Sequence, residues 1–223
     1  MKKSYLIFFS ILHCLCSQPL YAQQTFNGTW DGITLFSDQT KPVFYYVKTE
    51  GRFYLNQYTR NELLIRPALG YTVNKRLSLW LGYDMNQTLS DSAKIRQTIW
   101  QQSQLKMIET PAIDLLARTR VEERFPAVNP GIAYRLRERA AITFKQLNKS
   151  LYPLIYDEVF VNVNHPAWVS IKTLSQNRVF LGAKIPVNGQ VAIIVGYLDS
   201  SHYNTGTTVR EHLLSTELEI QFG

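Results

Sequence analysis

Charged side chains recur at every second position in two runs between residues 115 and 164, a spacing that no helix explains. Their members are Arg118, Arg120, Glu122, Arg124, Arg135, Arg137 and Arg139. Successive side chains of a strand point to opposite faces, so a period of two places these charges on one face. The opposite face is mostly apolar, with Glu123 and Glu138 as exceptions. The pattern predicts β-strands that each have one charged and one apolar face.

Two all-β folds accommodate such strands, and they differ in which face meets the solvent. A soluble β-sandwich buries the apolar face and exposes the charged face to water. A membrane barrel inverts that arrangement, because its apolar residues meet lipid and its charged residues line the lumen. The two ends of the chain favour the barrel.

The first 22 residues have the three parts of a secretory signal peptide. Lys2 and Lys3 form the positive beginning, residues 5–12 form the apolar part, and residues 20–22 (Leu-Tyr-Ala) form a cleavage site. The apolar part is too short to span a membrane as a helix. The sequence therefore predicts an exported protein that loses residues 1–22.

Both cysteines, Cys14 and Cys16, lie in this signal peptide. A mature chain without cysteine forms no disulfide, thiol catalyst or cysteine-ligated metal site, and we expect no cofactor and no metal. Loss of Lys2 and Lys3 lowers the formal charge from +7 to +5 (7 − 2 = 5). A basic chain is often a nucleic-acid binder, but an exported chain of alternating strands is not expected to bind nucleic acid.

From residue 43 to residue 223, ten strand-like segments are separated by tight turns and looser polar loops. Most contain ten residues or more, and a tilted strand that crosses a membrane needs about 9–11. Asn188-Gly189 is the strongest hairpin signal, and residues 199–206 are predicted to be a polar loop. We predict an antiparallel transmembrane β-barrel of about ten strands, with twelve as the alternative because bacterial barrels have an even number.

Residues 23–42 are predicted to be an N-terminal segment that contains a short strand, residues 25–36. This strand has three alternative places. It is an extra strand, it folds into the mouth of the barrel, or it belongs to a twelve-strand closure.

The C-terminus ends in alternating apolar residues, Leu218, Ile220 and Phe222. This ending resembles the terminal strand signal that the bacterial barrel-assembly machinery reads. We therefore expect a protein of the bacterial outer membrane whose partners are outer-membrane lipid and that machinery. Outward tyrosines would form the interfacial girdles, whereas Trp80 and Trp100 are predicted to point into the lumen.

The charged face predicts a network that lines the lumen. Its predicted members are Arg52, Glu62, Arg66, Arg96, Arg118, Arg120, Glu122, Arg124, Arg135, Arg137, Arg139, Glu158 and Arg178, with Lys48, Glu50 and Lys184 as further candidates. Arginine stays charged and donates from a planar fork, so it bridges carboxylates or binds anions. The favoured interpretation is a salt-bridge network that fills a narrow barrel. The alternative is a narrow channel that prefers anions, because arginines outnumber the acids.

Two other classes of function have weaker support in the sequence. Residues 199–202 (Asp-Ser-Ser-His) contain the residue types of a hydrolase site, but adjacent positions on a polar loop do not make a catalytic triad. The chain is therefore not expected to be an enzyme. A periplasmic β-barrel that binds a ligand is the third alternative.

These motifs resemble the outer-membrane β-barrel family named domain of unknown function 2490. The matching residues are Arg118, Arg120, Glu122 and Arg124 in R-x-R-x-E-x-R, Arg135 and Arg137 in R-x-R, Asp157, Glu158 and Phe160 in D-E-x-F, Gln176, Asn177, Arg178 and Gly182 in the Q-N-R strand, and Gly82-Tyr83 and Gly196-Tyr197 in two G-Y strands. Residues 25–36 and the final Gly223 depart from the pattern. The resemblance implies an outer-membrane barrel and brings no established activity.

Overall fold

The alternating segments form eleven strands that close into a barrel in the computed structural model. The structure describes residues 22–55, 57, 60–90, 94–127, 130–145 and 150–223. Within these ranges the strands are β1 (Ala22–Ser37), β2 (Val43–Tyr54), β3 (Glu62–Thr72), β4 (Leu77–Thr88), β5 (Ile95–Glu109), β6 (Ile113–Phe125), β7 (Ala133–Phe144), β8 (Tyr152–Asn162), β9 (Leu174–Pro186), β10 (Val191–Asn204) and β11 (Thr207–Phe222). No helix in those ranges is long and apolar enough to cross a membrane.

Each strand pairs antiparallel with the next along the chain, and β1 closes the barrel by pairing parallel with β11. An odd number of strands makes the first and last parallel. The predicted all-β barrel is confirmed, and its eleven strands lie between the ten and twelve that the sequence predicts.

The N-terminal segment is part of the barrel: of the three places left open for residues 25–36, the structure shows the extra strand, and the barrel begins at β1 rather than at residue 43. Strand β1 is sixteen residues long and pairs with β2 from Gly28 to Phe36. At Gly28 the partner strand comes so close that an added Cβ would lie 2.2 Å from the carbonyl oxygen of Phe53. Residues 1–21 lie outside the described residues, and the signal peptide stays a prediction.

The two ends of the barrel differ in their connections. We name the end that holds connections 38–42, 73–76, 110–112, 145–151 and 187–190 the turn end, and the C-terminal residue of β11 lies there. The other end holds connections 55–61, 89–94, 126–132, 163–173 and 205–206, and we name it the loop end.

The predicted polar loop at residues 199–206 is wrong. Strand β10 continues to Asn204, and a two-residue turn leads directly into β11. Ladder hydrogen bonds between β10 and β11 satisfy the backbone of these polar residues, so the hairpin continues where the apolar alternation stops.

The outer face of the barrel is apolar and the inner face is charged. Tyr45, Leu69 and Leu81 are exposed on the outside, whereas Arg120 and Glu122 are buried inside. The period-two pattern of the sequence thus gives the barrel an apolar outer surface and a charged inner surface.

Aromatic residues fill one side of the interior. Trp80 and Trp100 point inward, as predicted, and form a buried cluster with Phe44 and Ala68. The edge of Trp80 meets the ring of Phe44 with centroids 4.6 Å apart. This cluster narrows the space that the charged side chains share.

Candidate functional site

Three strands bring the arginines of the two charged runs together. In the β6–β7 pair, Arg118 lies opposite Arg139, Arg120 opposite Arg137, and Glu122 opposite Arg135. Strand β8 places Glu158 opposite Arg139. Residues opposite one another in a sheet point to the same face, so the register turns two sequence runs into one inward cluster.

Five of these residues form a salt-bridge layer across the middle of the lumen, which we name the central layer: Arg118, Glu122, Arg135, Arg137 and Glu158. Arg137 bridges both carboxylates, since its Nη1 donates to Glu122 at 2.5 Å and its Nη2 donates to Glu158 at 2.9 Å.

Each carboxylate of the central layer has a second arginine partner. Arg135 Nε donates to Glu122 at 2.7 Å, and Arg118 donates to Glu158. Glu122 and Glu158 are 1% and 2% exposed. Burial of a carboxylate is tolerated when hydrogen-bonded cations surround it, so the two acids and three arginines depend on one another.

Further ion pairs surround the central layer. Arg66 donates two hydrogen bonds to Asp84, of 2.7 and 2.6 Å. Asp84 also accepts a hydrogen bond from the indole nitrogen of Trp100 at 2.6 Å. Glu50 lies between Lys48 at 3.0 Å and Arg52 at 2.8 Å. These contacts hold the inward side chains of β2 to β5 in place.

Four inward arginines form no ion pair with a carboxylate of the described residues. Each lies instead over an aromatic ring: Arg120 over Trp100 at 3.8 Å, Arg139 over Tyr156 at 3.4 Å, Arg124 over Trp168 at 5.2 Å, and Arg178 over Trp30 at 4.7 Å. Stacking on a ring stabilises a cation and leaves its donors free for another partner.

Two chambers lie in the part of the lumen that the described residues form. The loop-end chamber has a volume of about 380 Å³, and eight arginines and three carboxylates of the described residues line it. The turn-end chamber has a volume of about 600 Å³, with ten lysines and arginines and six carboxylates in its wall. Both walls include Arg52, Arg66, Arg137 and Arg178, so a partition about one side chain thick separates the chambers.

The structure places the predicted network residues on the inner face and pairs many of them directly. Arg52 and Arg96 both reach Glu62 near the loop end. Sequence reasoning missed some inward residues: Asp84, Gln102, Glu211, Glu217 and Glu219. The period of two predicts that these residues also point inward, because each stands next to an outward residue such as Tyr83 or Leu218.

The predicted hydrolase residues do not form a catalytic triad. Ser200 and His202 point inward, but Asp199 bonds to Arg210, which lies outside the lumen. The inward acid near His202 is Glu211, and the same ring nitrogen, Nε2, meets both Ser200 Oγ at 3.2 Å and Glu211 at 3.1 Å. A triad needs the serine and the acid on different nitrogens. No group of metal-ligating residues occurs in the described part of the chain.

The fold and its interior define a class: a closed β-barrel with an apolar exterior and a buried arginine–carboxylate network. Residues 27–211 match the family described as "Protein of unknown function (DUF2490)", and the chain belongs to that family. The family resemblance in the sequence is thereby confirmed.

Two similar proteins accompany the family match. An uncharacterized protein of Methylorubrum extorquens is 25% identical over 198 residues, which cover 86% of each chain. A solved structure of the NanC porin is 9% identical, with a TM-score of 0.49, over 77% of this chain and 86% of that chain.

Proposed function

We propose that this protein is an integral outer-membrane β-barrel whose lumen is a narrow channel that prefers anions. The observation that carries the proposal is the surplus of arginine in two chambers that only a thin partition separates. The turn end faces the periplasm, because outer-membrane barrels have short periplasmic turns.

The apolar exterior supports the proposal that the barrel is embedded in a lipid bilayer. Strands β2 to β4 expose a continuous apolar surface that includes Val43, Tyr45, Leu69, Tyr71 and Leu81. Water-soluble monomers rarely expose so much contiguous apolar surface. A closed barrel also suits a bilayer, because it leaves no unpaired strand edge in a medium without water.

Aromatic residues occur outside near both ends of the barrel. Tyr45, Tyr71 and Phe222 are exposed near the turn end, and Phe53 and Tyr134 are exposed near the loop end. Such residues favour the two interfaces of a bilayer, because their rings are amphipathic. Their positions support a crossing along the strand direction.

The charge of the walls supports a preference for anions. The four arginines that stack on rings form no ion pair with a carboxylate of the described residues, so they add positive potential to the chambers. A lumen lined with arginine attracts anions and repels cations. The central layer keeps the passage narrow, and an anion crosses it only when Arg137 exchanges a carboxylate partner for the anion.

Planar-bilayer recording of the refolded mature protein tests this function, with a heat-modifiable band as the criterion of folding. We expect small conductance steps that weaken in Arg120→Glu. Arg210→Glu is the matched control, because Arg210 is outside the lumen and its reversal should leave the steps unchanged. A folded wild-type protein that carries no current would make the network a structural plug and refute the channel.

A further inference from the structure

Three arginine side chains that line the turn-end chamber each have a buried nitrogen with no hydrogen-bond partner among the described residues. These nitrogens are Nε of Arg118, Nη1 of Arg120 and Nε of Arg139. A buried donor of a charged group that lacks an acceptor is destabilising, and native interiors contain few of them. The three side chains line one chamber, so an acceptor bound there would satisfy these donors once the guanidinium groups turn toward it.

The strand register explains why these donors share one place. Arg118 lies directly opposite Arg139, and Arg120 is the next inward residue after Arg118 on β6. Like charges directly opposite one another in a sheet are destabilising. Glu158, which pairs with Arg118 and lies opposite Arg139, offsets part of that repulsion, and a bound anion would offset the rest.

The nearby acids do not supply the missing acceptor. Glu158 already accepts from Arg118 and Arg137, and Glu122 accepts from Arg135 and Arg137. Arg120 is only 3% exposed, yet its hydrogen bonds go to a neutral amide, the oxygen of Gln102, at 2.9 and 2.7 Å. Arg120 therefore forms no ion pair with a carboxylate of the described residues, and Asp84 and Glu122 attract it only from a greater distance.

We infer that Arg118, Arg120 and Arg139 form an oxyanion site, which binds the carboxylate or phosphate group of a small solute. The inference rests on the proposed channel and deepens it, since the site is the place where a passing anion pauses. Guanidinium groups suit oxyanions, because two parallel N–H donors match two oxygens of one acid group.

The chamber has the size and lining of a small-molecule site. Its volume of about 600 Å³ lies within the roughly 300–1,000 Å³ that such sites occupy. Gln104 lies opposite Arg118 on β5 and adds an amide to the wall, and Tyr156 supports Arg139 from one side. Among the charged residues of this wall, Arg120 and Arg139 form no ion pair with a carboxylate of the described residues, which leaves them available to a bound acid.

Isothermal titration of the refolded protein in a chloride-free buffer tests the site. One arm uses inorganic phosphate and the other uses acetate. We expect saturable binding of at least one probe and a loss of affinity of about tenfold in Arg120→Gln, because a charge-assisted hydrogen bond disappears. Phosphate alone would identify a phosphate site, and acetate binding would extend it to carboxylates.

Lys184→Gln is the matched control. Lys184 lines the same chamber and loses the same charge, but it is already paired with Glu219 at 2.5 Å. The affinity of this variant should stay within about twofold of wild type. If Arg120→Gln does not fold, Arg139→Gln replaces it, because Arg139 is half-buried and forms no ion pair with a carboxylate of the described residues.

The binding and conductance measurements together distinguish failure of the oxyanion site from failure of the channel. Absence of binding to both probes, or equal loss in Lys184→Gln and Arg120→Gln, overturns the oxyanion site even if the protein conducts. Specific binding in a protein that carries no current supports the site and refutes the channel.

Discussion

Trp100 occupies the space that a side chain at position 82 would need: a Cβ on Gly82 would lie 2.1 Å from Cζ2 of the Trp100 ring. The ring is 1% exposed, its indole nitrogen bonds to Asp84, and Arg120 covers it at 3.8 Å. The hydrogen bond to Asp84 and the stacked Arg120 hold the ring in this position, so glycine at position 82 is a condition for the packed wall beneath the arginines.

Gly82→Ala should lower the free energy of unfolding by about 1–3 kcal/mol, the usual effect of overpacking a full interior. Urea unfolding in lipid vesicles measures the change. Gly189→Ala is the control, because nothing lies within 4 Å of a Cβ at that turn. Equal stability of the two variants would show that the Trp100 wall is loosely packed.

Glu122→Gln should lower the free energy of unfolding by about 3–5 kcal/mol, because it leaves Arg135 and Arg137 buried beside a neutral amide. Glu123→Gln changes the neighbouring residue, which points outward, and should change stability by less than about 0.5 kcal/mol. The same urea assay compares them. If Glu123→Gln is the more harmful change, the inward and outward faces of β6 are reversed.

Leu81→Arg tests whether the exterior meets lipid. Leu81 is 55% exposed in the middle part of β4, where arginine in a bilayer costs about 2–4 kcal/mol. Val187→Arg is the matched control, since Val187 is 56% exposed but lies in a connection at the turn end. We expect impaired insertion only for Leu81→Arg, measured as the fraction of heat-modifiable protein in vesicles. Equal insertion of both would argue for a water-soluble barrel.

The alternating charges of residues 118–124 and 135–139 predict most of the fold from the sequence, because period two is a local property of a strand. The pairing inside the lumen is not local. Arg137 bridges Glu122 and Glu158 only because β6, β7 and β8 pair in this register. Arg120 faces Gln102 because β5 pairs with β6 in its own register. No short-range signal in the sequence carries such a register.

Strand β1 was harder to predict for a physical reason. Its outward face carries Thr29 and Asp31, and Asp31 bonds to the outward Thr216 of β11. The apolar half of the alternation is therefore missing from the N-terminal part of this strand. Polar outward residues likewise remove the apolar alternation from residues 199–204, although both segments pair with their neighbouring strands along their length.

The reversal potential in planar bilayers under a potassium chloride gradient tests the central claim most directly. The arginine surplus predicts a wild-type reversal potential displaced toward the equilibrium potential of chloride, and a smaller displacement in Arg120→Glu. A displacement toward the potassium potential, or no current from a folded barrel, would contradict an anion-preferring lumen.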